Sequence, residues 1–406
     1  MGWKETCAMS ERMKFVADLL RGERYMSELC ELYGISRTTG YKWLDRYQGG
    51  GVAALVDRSH APLYQPHAVP APLVQRLVQA RRQHPTWGPR KLLAWLQAHE
   101  ERTQWPAAST VGQILRRHGL VAGRKRRGRA VEHVPMALIQ PTAPNELWCT
   151  DFKGQFRTAD RYYCYPLTLT DAVSRYLLAC RGLRSTHTQQ VRPWFEQVFR
   201  QYGLPGAIRS DNGSPFASTG LGGLSRLSVW WIKLGIVPEF ITPGCPQQNG
   251  RHERMHKTLK REATQPPAAN LRAQQRKFDQ FVSEYNSQRP HEALQQRPPS
   301  TVYRPSTRAY PSRIAPIQYP DHFAVRKVRH NGEIKFGGAT LFLSEVLCGE
   351  PVGLFQVDEQ LWRLYFGMVP LGVLDTQTMR IGRISPHASK RVNQVRWAAP
   401  PAPPAG

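Results

Sequence analysis

Three acids stand out in a chain that has few to spare. The 406 residues hold 56 Lys and Arg against 30 Asp and Glu, so an acid placed where a strand ends or a helix begins is informative. Asp151 lies in Trp148-Cys149-Thr150-Asp151-Phe152-Lys153-Gly154, and Asp211 in Ile208-Arg209-Ser210-Asp211-Asn212-Gly213. Glu253 lies in Gln247-Gln248-Asn249-Gly250-Arg251-His252-Glu253-Arg254. Taken singly, Asp211 reads as a turn cap and Glu253 as a helix-surface acid. Together they are three hard oxygen ligands of the kind Mg²⁺ or Mn²⁺ prefers. Two such ions suit an in-line displacement at phosphorus. A formal net charge of +26 must seek a polyanion, and nucleic acid is the usual one because binding releases its condensed counterions.

Lys257 and Lys260 follow Glu253 at i+4 and i+7 on one helical face, flanked by Arg254 and Arg261. A Glu253–Lys257 pair would simply stabilise a helix. The alternative is a phosphate track leading to the acids, with Gln248, Asn249, Lys257 and Lys260 positioning DNA.

These acids need elements to hold them. Apolar runs predict strands over 147–152, 162–169, 176–183, 207–210 and 237–242, and helices over 188–202, 224–234 and 248–263. Three meandering strands followed by alternating helix and strand point to an RNase H-like α/β layer. In that layer the first and fourth strands are neighbours and the last helix packs across them, so the three carboxylates converge.

Upstream the texture is helical, giving a multidomain α and α/β chain. Phe15, Val16, Leu19 and Leu20 repeat at helical spacing, and Gly34 sits in a turn before Ser36, a good N-cap. This helix-turn-helix pattern over 10–48 places Arg37, Thr38, Thr39 and Lys42 where such helices meet base edges and phosphates; an ordinary helical hairpin is the alternative. A linker is expected over 59–72. A second helix-turn-helix follows over 72–121, with Arg90 and Lys91 just after Pro89 in a first helical turn and Ser109 as an N-cap. The run Gly123-Arg124-Lys125-Arg126-Arg127-Gly128-Arg129 is either a solvated linker or a strap on phosphates.

Beyond residue 311, short strands at 323–328, 332–336, 339–343, 352–357, 361–365 and 369–374 suggest a small C-terminal β-barrel. The expected domains are thus 1–58, 70–122, a basic linker 123–140, a core 141–305, a barrel 318–385 and a disordered tail 396–406. Seven scattered cysteines without zinc spacing read as small buried hydrophobes in a reducing cytosol. The most apolar stretch, 227–241, is short and carries Lys233 and Glu239, so no bilayer span is expected. With no signal-peptide pattern either, the protein is expected to be cytoplasmic, at the nucleoid when bound to DNA.

The three acid motifs resemble those of the integrase-core DDE transposases of bacterial insertion sequences, relatives of retroviral integrases. Trp3-Lys4-Glu5-Thr6, Leu20-Arg21-Gly22-Glu23-Arg24, Trp87-Gly88-Pro89-Arg90-Lys91 and Tyr285-Asn286-Ser287-Gln288-Arg289-Pro290-His291-Glu292-Ala293-Leu294 extend the likeness over almost the whole chain. The resemblance implies an RNase H-like integrase core in which Asp151, Asp211 and Glu253 are the catalytic triad. They would hold two Mg²⁺ (or Mn²⁺) ions, with Asp151 bridging. It also implies inverted-repeat recognition by the N-terminal domains and an SH3-like C-terminal barrel. The implied chemistry is 3′-end cleavage and strand transfer into target DNA, with no covalent protein–DNA intermediate. Synapsis of two ends asks for a homo-oligomer.

In one respect the chain departs from that pattern. Asp211 and Glu253 are 42 positions apart (253 − 211), more than the family's usual interval. The surplus is expected in Ser218-Thr219-Gly220-Leu221-Gly222-Gly223-Leu224. A non-catalytic DNA-binding repressor and an RNase H-like nuclease without strand transfer are the competing readings.

Overall fold

The computed structural model describes residues 7–57, 68–121, 138–242 and 245–382. The opening Trp3-Lys4-Glu5-Thr6, most of the 59–72 linker, the basic run with Arg124, Lys125, Arg126 and Arg127, and the tail 396–406 lie outside the described residues. The chain divides into two compact units, residues 1–69 and residues 70 onward.

The first unit is three helices, α1 (Ala8–Arg21), α2 (Met26–Leu32) and α3 (Arg37–Gly50). They close around Phe15, Val16, Leu29, Cys30, Trp43 and Leu55. Gly34 makes the turn at φ +64°, and the Ser36 hydroxyl accepts the Thr39 N–H as a helix cap. A Cβ on Gly40 would lie 2.7 Å from Cys30 Sγ, so only glycine lets α3 cross α2 this closely.

The second unit begins with α4 (Ala71–Gln83), α5 (Pro89–His99) and α6 (Ala108–Arg117), packed through Leu77, Leu92, Leu96 and Val111. Pro89 is the first residue of α5, as expected. Ser109 does not cap α6. The chain enters that helix directly from Pro106, so Ala107 takes the cap position and Ser109 falls within the first turn.

The central layer has strands β1 (Leu147–Phe152), β2 (Phe156–Arg157), β3 (Tyr163–Asp171), β4 (Leu177–Leu183), β5 (Ala207–Ser210) and β6 (Val237–Phe240). Their order is β2-β3-β1-β5-β6, with β4 on the outer side of β3. β3 runs antiparallel to β1, whereas β5 and β6 are parallel additions. Alternation along the strands gives the sheet two faces. On one, Trp148, Leu167, Leu169 and Ile208 meet Phe195 and Phe199 of α7 (Thr188–Tyr202) and Trp230 and Trp231 of α8 (Arg226–Lys233). On the other, Cys164, Leu177 and Cys180 meet Met255 and Leu259 of α9 (Gly250–Ala263) and Phe278, Phe281 and Tyr285 of α10 (Leu271–Ser287).

Helix α10 is absent from the sequence expectations, and it seals the free edge of β4. Asn286 accepts the Leu177 N–H (2.8 Å) and donates to the Leu177 carbonyl (2.9 Å), as a neighbouring strand would. Gln275 does the same at the far end, accepting from the Gly182 N–H and donating to the Cys180 carbonyl, both at 2.9 Å. Two amide side chains thereby occupy backbone groups that an edge strand leaves open.

The C-terminal region forms a five-stranded antiparallel sheet, β7 (Ala324–Lys327), β10 (Pro351–Gln356), β11 (Leu361–Phe366), β12 (Val369–Asp375) and β13 (Arg380–Gly382), with a hairpin of β8 (Glu333–Phe336) and β9 (Ala339–Phe342). The expected barrel is not closed among the described residues: β7 and β13 are the two edges of an open sheet. Its apolar face (Leu354, Leu364, Phe366, Leu371, Leu374) shares one core with Val229 and Ile232 of α8 and with Leu224. All seven cysteines are free thiols. Among the described residues no helix is long and apolar enough to cross a membrane.

Replacing Asn286 by Leu strands a buried N–H and a buried carbonyl, so it should lower the unfolding free energy by roughly 3 kcal/mol. Urea unfolding of the two proteins measures this. A loss under about 0.5 kcal/mol would show that α10 is not needed to satisfy the β4 edge.

Candidate active site

Asp151 is paired in register with Thr168 across the β1–β3 ladder, so both side chains leave the sheet on the same side. That side is covered by α9. Asp211 directly follows the last residue of β5, the parallel neighbour of β1. Glu253 lies in the first turn of α9. The fold therefore brings the three sequence-predicted acids towards one end of one sheet face.

Asp211 and Glu253 both act on the charge of Asp151. The Asp151 carboxyl is pushed up to about 7, first by burial and next by the charge of Asp211, with Glu253 adding to the rise. The Phe152 N–H and Lys153 work the other way without cancelling it. By contrast, Asp171 is almost fully buried but fully engaged. It accepts from the Asn145 N–H (2.7 Å), the Val173 N–H (3.1 Å), the Ser174 N–H (2.7 Å) and the Ser174 hydroxyl (2.6 Å). Asp171 is thus spent on the β3–β4 turn, while Asp151 keeps its oxygens.

Among the described residues no group of three or more His, Cys, Asp or Glu side chains is placed to hold a metal ion. The donor set nevertheless fits a divalent cation. All three are carboxylates, and hard oxygen donors are what Mg²⁺ and Mn²⁺ take. Asp151, Asp211 and Glu253 are the residues that would hold such ions.

Beneath Asp151 lies a polar network that sequence reasoning missed. The Thr168 hydroxyl is 3.0 Å from the Asp151 carbonyl oxygen, 2.8 Å from His252 Nε2 and 2.7 Å from His256 Nε2. His252 Nδ1 is 2.7 Å from the Thr170 hydroxyl, and His256 Nδ1 is 3.6 Å from Asp151 Oδ2. Burial drives His252 well below the ordinary histidine range and His256 down to about 3, so both rings are neutral. The available signal was the spacing of His252 and His256, which puts two polar rings on one face of α9 either side of Glu253.

The entry to α9 is fixed by a buried ion pair. Arg209 Nε donates to Glu239 at 2.6 Å, and the same guanidinium donates to the carbonyls of Gln248 (3.2 Å) and Ile139 (2.8 Å). The Gln248 amide is engaged within the loop, accepting the Thr242 N–H at 2.7 Å and donating to the Thr242 hydroxyl at 3.1 Å. Asn249 is buried, and its Oδ1 has no partner among the described residues. Neither side chain is laid out on the surface as a DNA contact. Lys257 and Lys260 are exposed, with Arg254 and Arg261 exposed beside them. Among the described residues Lys257 forms no ion pair with Glu253.

In the first unit Arg37, Thr38 and Lys42 are exposed at the start of α3. Thr39 turns inward to the cap, its hydroxyl 2.9 Å from that of Ser36. In the second, Arg90 is exposed and pairs with Glu292 at 3.4 Å. Lys91 is largely buried, its amine lowered to about 8 by burial and then by Arg289.

The sequence matches the family model described as Integrase core domain over residues 141–246, and a second model of the same description over 234–299. A Helix-turn-helix domain model matches 11–62 and a Homeodomain-like domain model 39–115. The chain is 27% identical over 235 residues to an uncharacterized 31.7 kDa protein of insertion element IS407 from Burkholderia multivorans, covering 56% of this chain and 79% of that one. It is also 27% identical to transposase InsD of insertion element IS2 from Escherichia coli, over 54% of this chain and 74% of that one. A Gag-Pol polyprotein of avian reticuloendotheliosis virus is 30% identical over 37% of this chain, which spans only 14% of the polyprotein. Among solved structures, an HTLV-2 integrase catalytic core domain in complex with magnesium aligns at 15% identity and TM-score 0.33, over 40% of this chain and 99% of that one.

The raised Asp151 carboxyl makes a pH prediction. From about pH 4 to pH 7 the folded protein keeps a proton that the unfolded chain gives up, so stability falls as pH rises through that window. The loss is complete above it. Asp151→Asn should therefore raise the melting temperature of metal-free protein at pH 8 and change it little at pH 4. An equal effect at both pH values would show that Asp151 ionises normally.

Proposed function

Because the chain carries helix-turn-helix domains and an integrase core and is related to insertion-sequence transposases, we propose that it binds the terminal inverted repeats of a mobile element and catalyses metal-dependent 3′-end cleavage and strand transfer into target DNA. The observation that supports this reading is the placement of Asp151 on β1, Asp211 at the end of the adjoining parallel strand and Glu253 in the first turn of α9, with burial first and Asp211 next raising the Asp151 carboxyl to about 7. A structural acid in this basic chain would be surrounded as Asp171 is, by donors.

Two Mg²⁺ (or Mn²⁺) ions held by the triad would supply activation of the attacking oxygen and stabilisation of the leaving one. Asp151, on the central strand between the other two acids, is the natural shared ligand. Lys257 and Lys260, exposed and unpaired along α9, hold the phosphate backbone leading to the acids. Arg37, Thr38 and Lys42 meet the inverted repeat from α3. The C-terminal sheet is read as an SH3-like DNA-binding module. Two ends must be handled together, so the working form is a homo-oligomer, cytoplasmic and on the nucleoid when engaged.

The first test uses purified full-length protein, Mg²⁺ or Mn²⁺, and labelled DNA carrying the flanking ends of its own locus. Joined products should appear and should vanish with EDTA or Asp151→Asn, while end binding by that variant stays near wild type. Binding without nicking or joining in either metal would move the reading to a DNA-binding relic. Nicking without joining would make it a nuclease.

A second test addresses α3. Lys42→Ala should weaken DNA binding evenly across sequences and reduce the slope of log K against log salt by about 1. An unchanged slope would remove Lys42 from the phosphate contacts.

A further inference from the structure

Two histidines buried side by side between a strand and a helix are costly where a pair of apolar residues would pack without polar groups to satisfy. Their hydrogen-bond accounting shows what they do. The Thr168 hydroxyl has one hydrogen and three polar neighbours: the Asp151 carbonyl, His252 Nε2 and His256 Nε2. If that hydrogen goes to the Asp151 carbonyl, both rings must donate from Nε2. His252 Nδ1 is then an acceptor, and the Thr170 hydroxyl at 2.7 Å supplies its donor. His256 Nδ1 is left bare against Asp151 Oδ2, and a lone pair facing a carboxylate oxygen accounts for a separation of 3.6 Å, too long for a hydrogen bond.

A second arrangement gives up only the Thr168 bond to the Asp151 carbonyl. The Thr168 hydrogen goes to His256 Nε2, His252 still donates to Thr168, and the His256 proton sits on Nδ1. Now Asp151 Oδ2 faces a donor instead of a lone pair. A modest rotation of the carboxylate would close the gap to hydrogen-bond length. No proton is gained or lost by the protein. One hydroxyl rotates and one imidazole changes tautomer.

We propose that His256 is a positioning residue for Asp151: in its Nδ1–H tautomer, with Thr168 and His252 holding the ring, it donates to Oδ2 of the ionised carboxylate and leaves Oδ1 for a divalent cation. This rests on the reading of Asp151 as a metal ligand. Three features support it. His256 and Asp151 lie on opposing elements, α9 and β1, so the contact sets the distance between the helix that carries Glu253 and the strand that carries Asp151. His256 is held at its far nitrogen, so the ring cannot turn away without breaking the 2.7 Å contact. The Asp151 carboxyl otherwise has only a backbone N–H and the more distant Lys153 to favour its charge.

The test measures Mn²⁺ binding by full-length protein without DNA, using the loss of the free-ion electron paramagnetic resonance signal. Groups that orient a ligand in this way contribute about tenfold or more to metal affinity. His256→Phe should therefore weaken Mn²⁺ binding by about tenfold. His256→Asn, whose amide can still present an N–H, should restore most of it. Thr168→Val, close in shape to Thr and lacking only the hydroxyl, should weaken binding in the same direction and covers the case in which His256→Phe does not fold. Melting temperature and circular dichroism are recorded alongside. A purely structural role would move those and leave Mn²⁺ affinity of the folded fraction unchanged in His256→Phe and Thr168→Val alike. Wild-type affinity in His256→Phe or Thr168→Val overturns the proposal. Asp151→Asn is the control: undiminished Mn²⁺ binding there would instead sink the metal-site reading, a failure distinct from that of His256.

Discussion

Like charges do not gather of their own accord. Asp151 stands on the central strand of a sheet, a quarter exposed, with Asp211 at the end of the adjoining parallel strand and Glu253 on the helix above. Burial and its two neighbours all oppose ionisation of this carboxyl. The arrangement survives because each acid sits on an element whose place is set by contacts far stronger than their mutual repulsion. The β1–β3 and β1–β5 ladders fix Asp151 and Asp211, and Met255 and Leu259 seat α9 on the sheet. The apolar core on the opposite face, built around Trp148, Phe199 and Trp231, keeps those strands from yielding. The fold holds three anions in place so that cations need not do so.

The side of the sheet that carries the acids is assembled differently from the other. Against α7 and α8 the contacts are almost wholly apolar. Against α9 and α10, apolar packing is interleaved with directed polar bonds: Asn286 and Gln275 on the edge of β4, His252 and His256 on Thr168 and Thr170, and Arg209 on the Gln248 carbonyl. Apolar packing tolerates small slides, whereas a bidentate amide or a buried guanidinium with three partners does not. The acids thus stand on the side of the sheet held by the second kind of attachment.

Much of this was legible in the sequence, and the parts that were not have physical reasons. Strand β1, helix α7 and strand β5 fall within their expected bounds, because each is a clear apolar period ended by a Gly or polar turn. Helix α10 was missed because its buried positions include Gln274 and Asn286, which read as surface residues until their strand partners are known. Ser109 looked like a cap from its residue type, but Pro106 sets where α6 starts. The small barrel was expected from strand spacing, and spacing carries no information on whether the first and last strands meet. For the site itself, Asp151, Asp211 and Glu253 were singled out from type and position, and they stand on β1, just after β5 and in the first turn of α9. Gln248 and Asn249 were legible as a motif but not in orientation, since an amide turned to Thr242 and one turned to solvent have the same sequence.

The long interval between Asp211 and Glu253 acquires a reason from packing. Residues 218–224 form a tight loop, closed by the Ala217–Leu224 bridge and by the Ser218 hydroxyl donating to the Leu224 carbonyl. Gly222, at φ +68°, has no room for a Cβ, which would lie 2.9 Å from a Leu371 side-chain atom. Leu224 is buried in the core of the C-terminal sheet, with Leu221 packed against it. The segment therefore does not hang over the acids as a free flap. It ties the strand that ends at Asp211 to β12, and α8, next in the chain, continues the same contact through Val229 and Ile232. A shorter interval would leave the C-terminal sheet without this face to rest on. Residues 218–224, between two of the acids, thus help to hold a neighbouring sheet in place.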